Sequence, residues 1–162
     1  MSIWTTIAIE RRRLADELEA LSDEQWATPS ACAGWTVEDV AAHLIVPFEV
    51  SLPRFGLAMM KNRGDFDRAM IELTARVRAR NSRADLVAKL RANAESQWTP
   101  PGGGAESPLG EVVVHGQDIR VPLGLDHNIP DETIELAITG MKEEELQVEY
   151  ARRIGVARPT KA

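Results

Sequence analysis

The chain reads as an all-α protein. Three observations point there. Apolar residues recur at three- and four-residue spacings over most of the length. The breaks between those stretches carry Ser, Asp, Gly or Pro. No internal repeat and no alternating strand pattern with hairpin turns is present in the sequence. Helices that are apolar on one face must bury it against one another, so a bundle follows.

Ile3, Ile7, Leu14, Leu18 and Leu21, with charges between them, predict a first amphipathic helix over residues 3–21. Ser22-Asp23-Glu24-Gln25 resembles a short capped turn, and Trp26 adds an apolar packing anchor. Residues 28–34 form a loop by composition. Thr36 is a good N-cap for the second helix. Glu38 and Asp39 put negative charge in its first turn, with Asp39 at the capping-box position. That helix carries Val37, Val40, Ala41, His43 and Leu44, which turns His43 inward. Pro47 and Pro53 are expected to kink or interrupt the helix beyond Leu44, and the apolar segment from Phe48 to Met60 is compatible with more helix.

Asn62-Arg63-Gly64-Asp65 is a turn. Phe66, Met70, Leu73 and Val77 mark a third helix, which Asn81-Ser82 breaks. Ser82 with Asp85 caps a short fourth helix striped by Leu86, Val87 and Leu90. Residues 98–104, rich in Pro and Gly, form a flexible loop. Ser107 as N-cap and Pro108 as first helical residue then open a helix that Val121-Pro122-Leu123-Gly124 ends. The run Val112-Val113-Val114 alone would allow a strand, but the Ser-Pro start and the flanking Leu109 and Ile119 favour helix. Asp131 caps a last helix through Ile134, Ala137, Ile138, Met141 and Leu146 to about Ile154, with Gly140 weakening its middle. Residues 1–156 read as a single domain and residues 157–162 as a frayed tail.

Length and composition fit one soluble domain. The chain has 162 residues, 44% hydrophobic and 27% charged, enough to bury a core without disulfide staples. A formal net charge of −6 argues against a nucleic-acid partner. No run approaches the roughly 20 apolar residues of a membrane span. The N-terminus is too polar for a signal peptide. Cys32 is the single cysteine, so no internal disulfide forms, and a cytoplasmic location fits. Charge is uneven. Residues 61–91 hold nine Lys/Arg against four Asp/Glu, and residues 126–149 hold one Lys against eight Asp/Glu. The plain reading is two solvated faces that attract each other; the alternative is a partner-binding surface. A homodimer is compatible with the sequence.

The stretch from Gly110 to Arg120 carries the chemistry. On a helix, Glu111 and His115 share one face at i, i+4, about 6 Å apart along the axis, so the two can converge on one small object such as a metal ion; spacing alone equally allows an exposed acid beside a hydrogen-bonded histidine. The chain has three histidines, which leaves His43 and His127 as sources of a third ligand. His127, in a polar turn, reads as a surface residue. Asp118 is placed either to orient a metal-bound His115 or, as readily, to form a salt bridge or a plain charge near the helix C-terminus. Arg120 is placed to bind a substrate carboxylate or to form a salt bridge. Cys32 precedes a helix start, where a thiol pKa can fall, but a small packing residue is the simpler reading. Trp26 and Trp35 read as packing residues.

Two motifs resemble a known family. The stretch from Trp26 to Leu44, with Cys32-Ala33-Gly34-Trp35-Thr36-Val37 and Ala41-Ala42-His43-Leu44 within it, is similar to the first motif of the mycothiol-dependent maleylpyruvate isomerase family. That family lies within the DinB-like superfamily. Glu111-Val112-Val113-Val114-His115-Gly116-Gln117-Asp118-Ile119-Arg120, followed by Pro122-Leu123-Gly124, is similar to its second. The resemblance covers roughly residues 3–125. It implies a DinB-like four-helix bundle with short additional helices, and a divalent ion held by His43, Glu111 and His115. It also implies an open coordination position for mycothiol or a similar low-molecular-weight thiol. Many relatives continue into a further domain or a longer C-terminal segment, whereas here an acidic stretch follows.

Two imidazoles and a carboxylate suit zinc best, with nickel and iron as alternatives. An ion in such a site lowers the pKa of a thiol that binds it. The implied function is therefore a metal-dependent, thiol-using isomerase or S-transferase acting on a small electrophilic substrate. The competing reading is a non-catalytic bundle that binds a small ligand or a protein partner.

Overall fold

The computed structural model describes residues 1–139, and among them the regular structure is entirely helical. Eight helices follow in order: α1 Ile3–Glu19, α2 Asp23–Trp26, α3 Val37–Glu49, α4 Leu52–Lys61, α5 Phe66–Arg80, α6 Arg83–Ala92, α7 Glu106–Leu123 and α8 Asp131–Thr139. The expected continuation of the last helix past Gly140, and the tail, lie outside the described residues.

Most boundaries follow from capping chemistry. Ser22, Thr36 and Ser82 open α2, α3 and α6 with full capping boxes to Gln25, Asp39 and Asp85. Each box satisfies two backbone donors that a helix start leaves unpaired. The capped turn expected at residues 22–25 is thus a one-turn helix. Pro47 does not stop α3, which runs two residues past it. Pro53 sits in the first turn of α4, where its missing N–H costs nothing. The start of α7 differs from expectation. Ala105 is its N-cap with no side-chain cap bond, and Ser107 and Pro108 fall inside the first turn. The first three helical positions have no intrahelical acceptor, so Pro108 is tolerated there, and Glu106 supplies favourable charge. Gly124, at φ 64°, ends α7 in the left-handed conformation.

Helix contacts close a ring. α1 packs on α6, α6 on α3, α3 on α7, and α7 back on α1. α5 lies along α3, α4 packs on α5, and α8 packs on α7. The architecture is the DinB-like helical bundle that the sequence predicts. Its core is the apolar stripe of each long helix: Ile7, Leu14 and Leu18; Val37, Val40 and Ile45; Leu86 and Leu90; Leu109, Val113 and Ile119. Burying each such side chain contributes roughly 1.5–3 kcal/mol over leaving it exposed.

Among the described residues, cations of the basic run 61–91 pair with acids from the first half of the chain. Arg78 pairs with Asp39, Arg83 with Asp23 and Glu38, Lys89 with Glu49, and Arg91 with Asp16 and Glu19. These cations therefore tie α5 and α6 to the acids of α1, α2 and α3. No described helix is long and apolar enough to cross a membrane.

Candidate metal centre

His43 lies in α3, and Glu111 and His115 lie one turn apart in α7. Because α3 packs directly on α7, the three side chains meet between the two helices. His43 Nε2 is 3.3 Å from Glu111 Oε2, and His115 Nε2 is 3.4 Å from the same oxygen. The imidazole rings stand edge to face, with centroids 4.7 Å apart. One potential ligand atom from each residue lies within 4.8 Å of the others.

Two uses of the cluster set different expectations for these separations. A charge-assisted N–H···O⁻ bond is typically about 2.7–2.9 Å long. In a tetrahedral site with bonds of roughly 2.0–2.1 Å, ligand atoms stand about 3.3 Å apart. The two Nε2–Oε2 distances match that tetrahedral edge, and as long hydrogen bonds they also hold the metal-free cluster together. The donor set also suits zinc: two nitrogens and one carboxylate oxygen are the three-ligand pattern that in catalytic zinc sites leaves a fourth position open.

Each histidine is held from behind. His115 Nδ1 is 3.0 Å from Asp118 Oδ2, and Asp118 is only 1% exposed. His43 Nδ1 is 3.3 Å from Thr74 Oγ1 on α5. Trp35 adds a wall, its ring centroid 5.1 Å from that of His43. A proline explains how Trp35's loop is fixed. Pro122 has no N–H for the carbonyl of Asp118, four residues earlier. That carbonyl instead accepts the N–H of Ala31 at 2.9 Å. The loop from Thr28 to Thr36 is thereby pinned to α7 at the residue that supports His115.

Exposure is asymmetric. The Glu111 side chain is 53% exposed, against 12% and 15% for His43 and His115. Burial pushes the Glu111 carboxyl up, but hydrogen bonds and charge from His115 and His43 outweigh it and hold it well below the usual range. Burial opposes a charged His115, but hydrogen bonds and charge from Asp118 and Glu111 prevail and raise it to about 9.

A family model described as the mycothiol maleylpyruvate isomerase N-terminal domain matches residues 7–120. The chain belongs to that family. No curated protein and no solved structure matches it. The mycothiol maleylpyruvate isomerase N-terminal domain match runs from α1 to Arg120 in α7, and so contains His43, Glu111 and His115.

Other sequence candidates fall elsewhere. Arg120 is fully buried. Its Nε donates to Glu17 Oε2 at 2.7 Å, and its Nη2 lies 3.6 Å from Glu10 Oε2. This is a buried link from α7 to α1, which corrects the substrate-carboxylate reading: a guanidinium with no exposed surface is not open to substrate. Gly116 makes room for it, since a Cβ there would sit 2.9 Å from Arg120 Nη1. Gly116→Ala, which helix propensity alone would favour by about 1 kcal/mol, is therefore expected to lower the melting temperature in a thermal melt. His127 is exposed, with Nδ1 3.2 Å from the Leu125 carbonyl, and does not reach the cluster. Cys32 is partly buried against the core. Thr74 belongs to neither sequence motif. Its one local signal is a polar residue inside the apolar stripe of Met70, Leu73 and Val77.

Proposed function

We propose that this mycothiol maleylpyruvate isomerase-family bundle is a metal-dependent enzyme acting on a small electrophilic substrate with a low-molecular-weight thiol, mycothiol by family, as cosubstrate. The observation that carries the reading is the pair of 3.3 and 3.4 Å separations between one Glu111 oxygen and two histidine nitrogens. His43, Glu111 and His115 are the residues that hold the ion, and zinc is the metal their chemistry favours. When bound, the ion supplies Lewis acidity that lowers the pKa of a thiol at its open position. Asp118 fixes the orientation of the His115 ring, and its carboxylate keeps the proton on Nδ1 so that Nε2 faces the ion. Trp35 covers one side of His43 and restricts water there. Isomerisation of an activated double bond and S-transfer are the two outcomes such a thiol supports.

The test is calorimetric titration of mycothiol into zinc-loaded protein and into metal-free protein. Binding that requires zinc supports the reading. Equal affinity with and without zinc, or no affinity at all, contradicts it.

A pH dependence arises from His115. Its imidazole is raised from 6.5 to about 9 in the metal-free protein, so the charged form is favoured by folding. That contribution to stability is fully present below pH 6.5 and is lost as pH rises through about 9. The same proton competes with zinc, so zinc affinity is expected to rise with pH up to about 9, with proton uptake or release read by calorimetry in buffers of different ionisation enthalpy. An affinity flat between pH 6.5 and 9 would exclude the coupling.

A further inference from the structure

We propose that Thr74 is the positioning residue for His43, and that its hydroxyl holds His43 Nδ1 in two proton arrangements, one before and one after a metal ion binds. This rests on the metal reading above. Thr74 belongs to α5, which supplies none of the three ligand candidates, and its side chain is 2% exposed. A threonine inside a helix commonly turns its hydroxyl back to the carbonyl four residues earlier. Thr6 in α1 does so, donating to the Ser2 carbonyl at 3.3 Å. Thr74 does not: among the described residues its hydroxyl meets His43 Nδ1.

The two arrangements differ in which partner donates. Ionised Glu111 only accepts, so with no ion present His43 Nε2 carries the hydrogen that faces it. Nδ1 of a neutral His43 is then a lone pair, and the Thr74 O–H donates to it. To give its Nε2 lone pair to an ion, His43 must carry its proton on Nδ1 instead. The Thr74 oxygen then accepts. One proton moves from Nε2 to Nδ1 through solvent, and none is gained or lost at His43. A hydroxyl serves both states because it is donor and acceptor. Asp118 cannot do the same, since its ionised carboxylate accepts only and keeps His115 Nδ1 protonated throughout. His115 is the fixed ligand and His43 the adjustable one.

Thr74→Val removes the hydroxyl and nearly preserves shape; Thr74→Ser keeps the hydroxyl and loses the methyl. Zinc affinity is read by competition with a chromophoric chelator, and the His43 ring by its nitrogen resonances in metal-free and zinc-loaded protein. Thr74→Val is expected to weaken zinc binding by about 10- to 100-fold, and Thr74→Ser to restore most of it. In metal-free Thr74→Val the His43 Nδ1 resonance is expected to move while those of His115 stay. Wild-type affinity in Thr74→Val, or equal impairment in Thr74→Ser, overturns the role. So does an unmoved Nδ1 resonance. That last readout needs no metal, so it still decides the role of Thr74 if the wild-type protein takes up no zinc and the metal reading fails.

Discussion

Arg120→Met is expected to destabilise the fold by about 3–5 kcal/mol, the typical effect of removing one partner from a buried ion pair. The methionine fills much of the space, so the loss reports charge rather than cavity. It leaves Glu10, 5% exposed, without its nearest cation, and leaves Glu17 paired with Arg13 at 3.0 Å. The link matters beyond stability because Arg120 joins α1 to the helix that carries Glu111 and His115. Removing Glu10 together with Arg120 (Glu10→Met with Arg120→Met) is expected to recover much of the loss, because an apolar pair of similar volume strands no charge. Denaturant unfolding of the single and double variants measures both. A single variant as stable as the wild type would show that the buried pairing contributes nothing.

His115→Ala, His43→Ala and Glu111→Gln are each expected to lower zinc affinity by about 100-fold or more. Apparent zinc-binding energies of roughly 10–16 kcal/mol are spread over about four ligands, hence roughly 3 kcal/mol for each. Metal-free stability separates the three variants. His115→Ala removes an imidazole that Asp118 and Glu111 hold charged, whereas Glu111→Gln keeps the shape and takes away the shared anion. His127→Ala, on an exposed turn away from the cluster, is the control and should leave zinc binding unchanged. Chelator competition on the purified variants reads all four.

The helices are legible in the sequence because their signals are local. Capping boxes at Ser22, Thr36 and Ser82, and the left-handed Gly124, act within a few residues of themselves. The start of α7 is less legible because Ser107 and Pro108 suit a first turn at more than one register. The convergence of Glu111 with His115 follows from helical period, but its meeting with His43 depends on α3 packing against α7. Spacing does not encode that; the family motif points to it. Arg120 reads as an open charge at the end of a helix, and only the position of α1 shows it is buried. Thr74 and the Ala31 contact with Asp118 join segments more than 30 residues apart, so no local pattern marks their partners, although Pro122 marks the carbonyl that no helical N–H reaches.

The central claim is that His43, Glu111 and His115 hold one divalent ion. The most direct measurement is titration of zinc into metal-free wild-type protein against a chelator of known affinity, with the His115→Ala variant alongside. Saturation at one zinc per chain is expected in the wild type, with loss of that site in the variant. No stoichiometric uptake by the wild type, or equal uptake by the variant, would contradict it.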